Sequence, residues 1–219
     1  MWKKTQVPFF SNEEEIEEKA QRNIDLKILV VRAKVSDPVK LDHYRWIENY
    51  TNASFSIPGV HYDYLTKKIH YTQSLIINAE LYPCKAYQFD PAQSSRWPYA
   101  PFNSFYQGAH AAIIAFDTGL KNWEKNLSSL IEKVKSKIDV PIFLVEITAN
   151  GLHQTVCNNE IKTLVNKHGC SSTGVVNFDS QYDVENTMEN TIMTIIKAYL
   201  AKENYVEHER NDRSLIEFI

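Results

Sequence analysis

From residue 26 the chain reads Leu-Lys-Ile-Leu-Val-Val, a short aliphatic and β-branched run of the kind that is buried on both faces of a sheet. A core strand is predicted there. Asp37 and Pro38 then supply an N-cap carboxylate and a first-turn proline, so a helix is predicted to open at that point and run through Trp46 and Ile47. Further apolar runs at 74–78, 86–89, 111–116 and 141–147 predict strands. Between the last two, Trp123, Leu127, Leu130, Ile131 and Val134 recur at helical spacing and predict a helix over 122–137. A helix over 160–168 is predicted to stop at Gly169, a residue suited to the left-handed conformation that ends helices. A strand at 175–178 and a last helix over 184–201 complete the pattern. Alternating strands and helices predict an α/β fold, with a mostly parallel six-stranded sheet and helices on both faces.

The organisation follows from the same pattern. Residues 1–24 are polar and acidic, with Ser11 and Glu14 spaced to cap a short helix that has little apolar face. They read as an extension, residues 25–201 as one domain, and the charged stretch 202–219 as a tail. A chain of 219 residues is long enough for one full core and excludes a second large domain. With 24 Lys and Arg against 27 Asp and Glu, a net charge of −3, nucleic acid is not an expected partner.

Three cysteines, Cys84, Cys157 and Cys170, form no disulfide framework and suit a reducing compartment. No stretch approaches the roughly 20 apolar residues of a membrane span, and the start lacks the order of a signal peptide. A cytoplasmic protein is expected. His153, Cys157, His168 and Cys170 have zinc-ligating chemistry but not zinc spacing. A helix between the two cysteines separates them by about 20 Å, whereas each ligand must lie within roughly 2.3 Å of the ion. No metal and no cofactor is expected. Only six glycines occur, well under the roughly 7% of average proteins, and backbone-built anion cradles need them.

Three segments carry a resemblance: Phe55-Ser56-Ile57-Pro58-Gly59-Val60, then residues 89–97 with Phe89-Asp90-Pro91-Ala92-Gln93, then Phe105-Tyr106-Gln107-Gly108-Ala109-His110 running into an apolar strand that ends in Asp117. In this order and register the chain resembles Rab-type small GTPases of the Ras superfamily from about residue 26 to residue 200. The resemblance implies a three-layer small-GTPase-like fold. It also implies where nucleotide chemistry would stand, and there the residues have changed.

The phosphate loop of such proteins, G-x-x-x-x-G-K-[ST], cradles phosphates with backbone N–H groups and holds Mg²⁺ with a hydroxyl. The matching run begins at Arg32 and ends in Asp37, Pro38 and Val39, with no glycine, proline in the lysine position and valine in the hydroxyl position. Proline has no N–H to offer, and the Asp37 carboxylate would occupy the helix N-terminus that a phosphate needs. Ile57 stands in the place of the first-switch threonine. Asp90 is kept, but Gln93 replaces the glycine that senses a γ-phosphate, and Ser94 the water-orienting glutamine. In the guanine box Ile147 replaces the asparagine and Asn150 the aspartate. Loss at the phosphate, metal, water and base contacts together points to a pseudo-GTPase with no catalytic residues and no small-molecule substrate.

Aromatic residues gather in the switch-like segments: Tyr62 and Tyr64 after the first, and Trp97, Tyr99 and Phe102 in the second. Rigid aromatic anchors carry much of the energy of protein interfaces, while Pro58, Pro91, Pro98 and Pro101 restrain segments that a true switch must order and disorder. A constitutive protein-binding surface is expected, which the resemblance places in vesicle trafficking or an adaptor assembly. No cysteine follows Cys170, so no prenyl anchor is expected and any recruitment to membranes would run through a partner. A divergent GTPase using other residues, or a structural subunit whose aromatics are core, are the alternatives.

Overall fold

The computed structural model describes residues 22–35, 43–54, 64–89, 106–148, 158–177 and 180–216. Among them a sheet of six strands is built from β1 (Arg22–Arg32), β2 (Leu65–His70), β3 (Leu75–Lys85), β4 (Ala111–Phe116), β5 (Ile142–Thr148) and β6 (Ser171–Asn177). The spatial order is β2-β3-β1-β4-β5-β6. β1 pairs in parallel with β3 and with β4, and β5 pairs in parallel with β4 and β6, while β2 runs antiparallel to β3. The sheet is therefore mixed where a mostly parallel one was expected. The reason is local: β2 and β3 are joined by a tight turn in which Tyr71 N–H donates to Leu75 O at 3.0 Å, and a tight turn reverses the chain where a helical crossover would not.

Side chains of alternate residues divide the core in two, as the pleat requires. Ile24, Leu26, Ile28 and Val30 of β1 join Phe143, Val145 and Ile147 of β5 on one face. There they meet α1 (His43–Thr51), through Trp46, Ile47 and Tyr50, and α4 (Gln181–Ile216), through Val184, Met188, Ile192, Ile195 and Ile196. Leu29 and Val31 of β1 join Ile114, Phe116 and Leu144 on the other face. They meet α2 (Trp123–Lys135), through Leu127, Leu130, Ile131 and Val134, and α3 (Asn158–His168), through Ile161 and Leu164. β4 and β5 are buried along their whole lengths, which is why they read as unbroken apolar runs.

Several sequence expectations change. Ala86–Phe89 is a 3₁₀ turn, not a strand, and β3 is one strand of 11 residues where a strand ending at residue 78 was expected. β2, which the apolar pattern did not predict, buries only Ile69 and alternates polar and half-buried positions as an edge strand. The helix predicted to start at Asp37 and Pro38 is helical from His43; residues 36–42 lie outside the described residues. α4 runs on to Ile216, well past the predicted end near residue 201. Gly169 does close α3 with φ of +56°, a conformation glycine adopts without steric cost. Asn122 precedes α2 with φ of +63° and no side-chain cap.

Candidate functional site

Ligands of open α/β sheets bind outside the carboxyl ends of the strands, so the ends of β1, β3, β4 and β5 are the first place to look. Arg32 closes β1 half-buried, opposite Lys85 and Ala115. Directly beyond it, residues 33–35 stay against the sheet. Ala33 N–H donates to Ala115 O at 2.9 Å, and Ala33 and Val35 are 7% and 6% exposed. Each fills a different face of the core, Ala33 on the α2 side and Val35 on the α1 side. The side chains of Ala33 and Val35 thus enter the core on opposite faces of the sheet. Asp37, Pro38, Val39, Ile57, Asp90, Gln93 and Asn150 lie outside the described residues.

Ile147, for which the resemblance implies the guanine-box position, is 1% exposed and packs in the core cluster with α1 and α4. An aliphatic group committed to the core has no hydrogen bond to give a base. The polar chemistry at this end comes from Asp117, which ends the third motif, and from three residues the sequence reading did not single out. Asp117, Thr118, Glu146 and Thr148 are all buried. The Thr118 hydroxyl donates to Glu146 Oε1 at 2.6 Å, Gly119 N–H donates to Asp117 Oδ1 at 2.8 Å, and the Thr148 hydroxyl donates to Val176 O at 3.2 Å. Burying a carboxylate without hydrogen bonds is expensive, so these donors knit the strand ends together. A glutamate inside the apolar run 141–148 was the available sign that this strand end holds a polar contact.

The second place is the β2–β3 edge, which Tyr64 adjoins. Tyr64 precedes β2, is 40% exposed and stacks on Tyr82 of β3 with ring centroids 4.6 Å apart and planes at 20°. Lys27 Nζ of β1 lies 4.8 Å from the Tyr82 centroid, within cation–π range, and donates to Gln107 O at 3.0 Å. The Tyr82 hydroxyl donates to Glu80 Oε2 at 3.2 Å. Partial burial and the neighbouring Glu80 carboxylate push the Tyr82 phenol upward, so it stays a neutral donor throughout the physiological range. Burial lowers the Lys27 ammonium. Tyr64, Tyr82, Lys27 and Glu80 form one aromatic and charged patch that can stack a planar group or receive a polar one. Of the five aromatics expected at a partner surface, Tyr64 stands in this patch; Tyr62, Trp97, Tyr99 and Phe102 lie outside the described residues.

The amino-terminal end of the sheet is fastened differently. His110 N–H donates to Lys27 O at 2.8 Å, and Lys27 N–H donates back to His110 Nδ1 at 3.0 Å. An accepting Nδ1 puts the ring proton on Nε2. The imidazole meets Tyr199 of α4 edge to face at 5.3 Å. Desolvation lowers the His110 imidazole, opposed by the Glu203 and Glu80 carboxylates and aided by Lys27.

Among the described residues no group of three or more His, Cys, Asp or Glu is arranged to hold a metal ion. His168, one of the residues with zinc chemistry, instead pairs its Nε2 with Ser128 Oγ at 2.7 Å; His153 and Cys157 lie outside the described residues. Among the described residues no helix is long and apolar enough to cross a membrane. No protein-family model matches the chain, and no curated protein matches it either.

Proposed function

We infer that the chain is a non-catalytic, Rab-like pseudo-GTPase that serves as a constitutive protein–protein interaction module in vesicle trafficking or an adaptor assembly, cytoplasmic and recruited by its partner. The strand order β2-β3-β1-β4-β5-β6 with its antiparallel edge strand supports the small-GTPase-like half of this reading, alongside the motif positions from Phe55 to Asp117. The observation that carries the loss of chemistry is the end of β1, where Ala33 and Val35 are buried in opposite halves of the core. A loop anchored by two side chains and followed by Asp37 and Pro38 has neither the glycines nor the lysine that a nucleotide phosphate needs. The patch around Tyr64 and Tyr82 supports the protein-binding half.

The test is thermal unfolding with GTP or GDP and Mg²⁺. A nucleotide present at a hundredfold over its Kd would add about 2.7 kcal/mol of stability. No shift in melting temperature is expected, and a clear Mg²⁺-dependent shift would replace this reading with that of a divergent GTPase.

A further inference from the structure

The helices on the α2 side of the sheet meet at a polar seam. Ser128, Glu132 and Lys135 follow one another at spacings of four and three along α2, beside the buried stripe of Leu127, Leu130, Ile131 and Val134, and so share one face of the helix. Across the seam α3 ends at Lys167 and His168. Gly169 then turns left-handed, and Cys170 N–H donates back to Val165 O at 3.0 Å. This end is held: Lys135 Nζ donates to His168 O, and His168 is buried. Two groups converge there on one oxygen. His168 Nε2 lies 2.7 Å from Ser128 Oγ, and Lys167 Nζ donates to the same Oγ at 3.4 Å. An ammonium has no acceptor, so it takes a lone pair of the hydroxyl and leaves the hydroxyl proton to point at the imidazole. Burial lowers the His168 imidazole first, and Lys167 and Lys135 lower it further against the opposing Glu132 carboxylate. The ring is therefore neutral near pH 7 and free to accept that proton. Ser128 itself is half-buried and Lys167 exposed, so the pair is within reach of solvent.

We propose that Ser128 is a site of covalent modification, a serine that takes the acyl group of an activated ester with His168 as its base. A nucleophile within hydrogen-bond reach of an imidazole is the arrangement that activates a hydroxyl. Ser128 Oγ bonds to the acyl carbon, and the bond from that carbon to the leaving oxygen breaks. The hydroxyl proton passes to His168 Nε2 and from there to the departing oxygen. Lys167 is the nearby cation for the negative charge that grows on the attacked carbonyl. Ser128 stands within α2, where backbone N–H groups are committed to the helix and build no oxyanion hole. The step is thus a single transfer onto the chain, not turnover, and it is compatible with a non-catalytic protein. The competing explanation is a hydrogen bond that only clips α2 to α3. A clip needs no neutral base, works equally with glutamine in place of histidine, and gives no account of the second contact from Lys167.

The experiment treats the full chain with p-nitrophenyl acetate and follows acetylation by intact mass and peptide mapping. Only adducts released by hydroxylamine are counted, because acetyl-lysine amides resist it. One such acetyl group is expected at Ser128, formed at least about a hundredfold faster than at its exposed neighbour Ser129, the contribution of a positioned general base. Ser128→Ala abolishes it. His168→Gln keeps a hydrogen-bonding group and should slow it about a hundredfold at a nearly unchanged melting temperature, and Lys167→Met about tenfold, the worth of one charged hydrogen bond. In the unaltered chain the rate should rise with pH on the acid side of the ordinary imidazole value of about 6.5 and be level above it. Equal labelling of Ser128 and Ser129, His168→Gln that reacts as fast as the original, or a rate that keeps climbing with pH beyond neutrality would each overturn the site. Should His168→Gln unfold the chain, the pH profile of the unaltered protein decides by itself.

Discussion

The two halves of the sheet are built by opposite rules. β4 and β5 are buried at every position, with α4 packing on one face and α2 and α3 on the other. β2 buries a single residue, and the side of β3 and β1 that carries Asn78, Glu80, Tyr82 and Lys27 is polar and half-buried. There the contacts are an Asn78 amide donating to Asp25 Oδ1 at 2.8 Å and the Tyr64–Tyr82 stack. The first half stores stability in excluded water. The second leaves hydrogen-bonding and aromatic groups near the surface, where another molecule can use them.

The contrast breaks first in stability. Leu144 is fully buried between β5 and α2 and α3, so Leu144→Ala should cost about 2–5 kcal/mol through lost transfer energy and the cavity left behind. Thr66→Ala, on the exposed side of β2, should stay within about 0.5 kcal/mol. Equilibrium denaturation of both variants measures the difference, and equal losses would mean that the edge half is also sealed.

A smaller effect lies on the border between the halves, where His110 clips β4 to β1. Its imidazole is lowered by desolvation, so the folded state resists protonation more than the unfolded chain does. Stability from this group is present above the unfolded value of about 6.5 and falls away as pH drops below it. Protonation turns Nδ1 from acceptor to donor against Lys27 N–H, at a cost of about one hydrogen bond, ~1 kcal/mol. His110→Asn keeps an acceptor that does not titrate and should flatten the acid limb of the melting profile between neutral pH and pH about 5. His168 is lowered too, by burial first and then by Lys167, and contributes to the slope that remains. An unchanged slope would show that the clip is already open.

The smallest effect on folding is expected at Tyr64. Removing an exposed ring that stacks on Tyr82 should cost no more than about 1.5 kcal/mol of stability, while a partner anchored on it would lose about 2 kcal/mol or more of binding. Paired melting and pull-down measurements on Tyr64→Ala separate the two, and lost folding with retained binding would make the patch structural.

The same division decides what was legible. β4 was readable to the residue, and β5 to within one, because strands buried on both faces must be apolar throughout. β3 was not, because Glu80, Tyr82 and Pro83 interrupt its apolar run. Pro83 is tolerated there because β2 stops pairing at Leu81, so the proline stands where the strand has one fewer neighbour. β2 itself has the composition of a loop. Of the positions that the resemblance assigns to nucleotide boxes, Ile147 is core, while most of the others lie outside the described residues.

The rims of the sheet carry one more consequence. A sheet that ends in unpaired backbone invites a neighbouring chain to extend it, the route to aggregation. Here the outer strands are β2, only six residues long with Lys67 and Lys68 side by side, and β6, seven residues with two serines, a threonine and a glycine and a register irregularity against Leu144 and Val145. Short, charged or irregular borders are poor templates for adding a strand, so neither rim of the described sheet favours edge-to-edge joining of two copies.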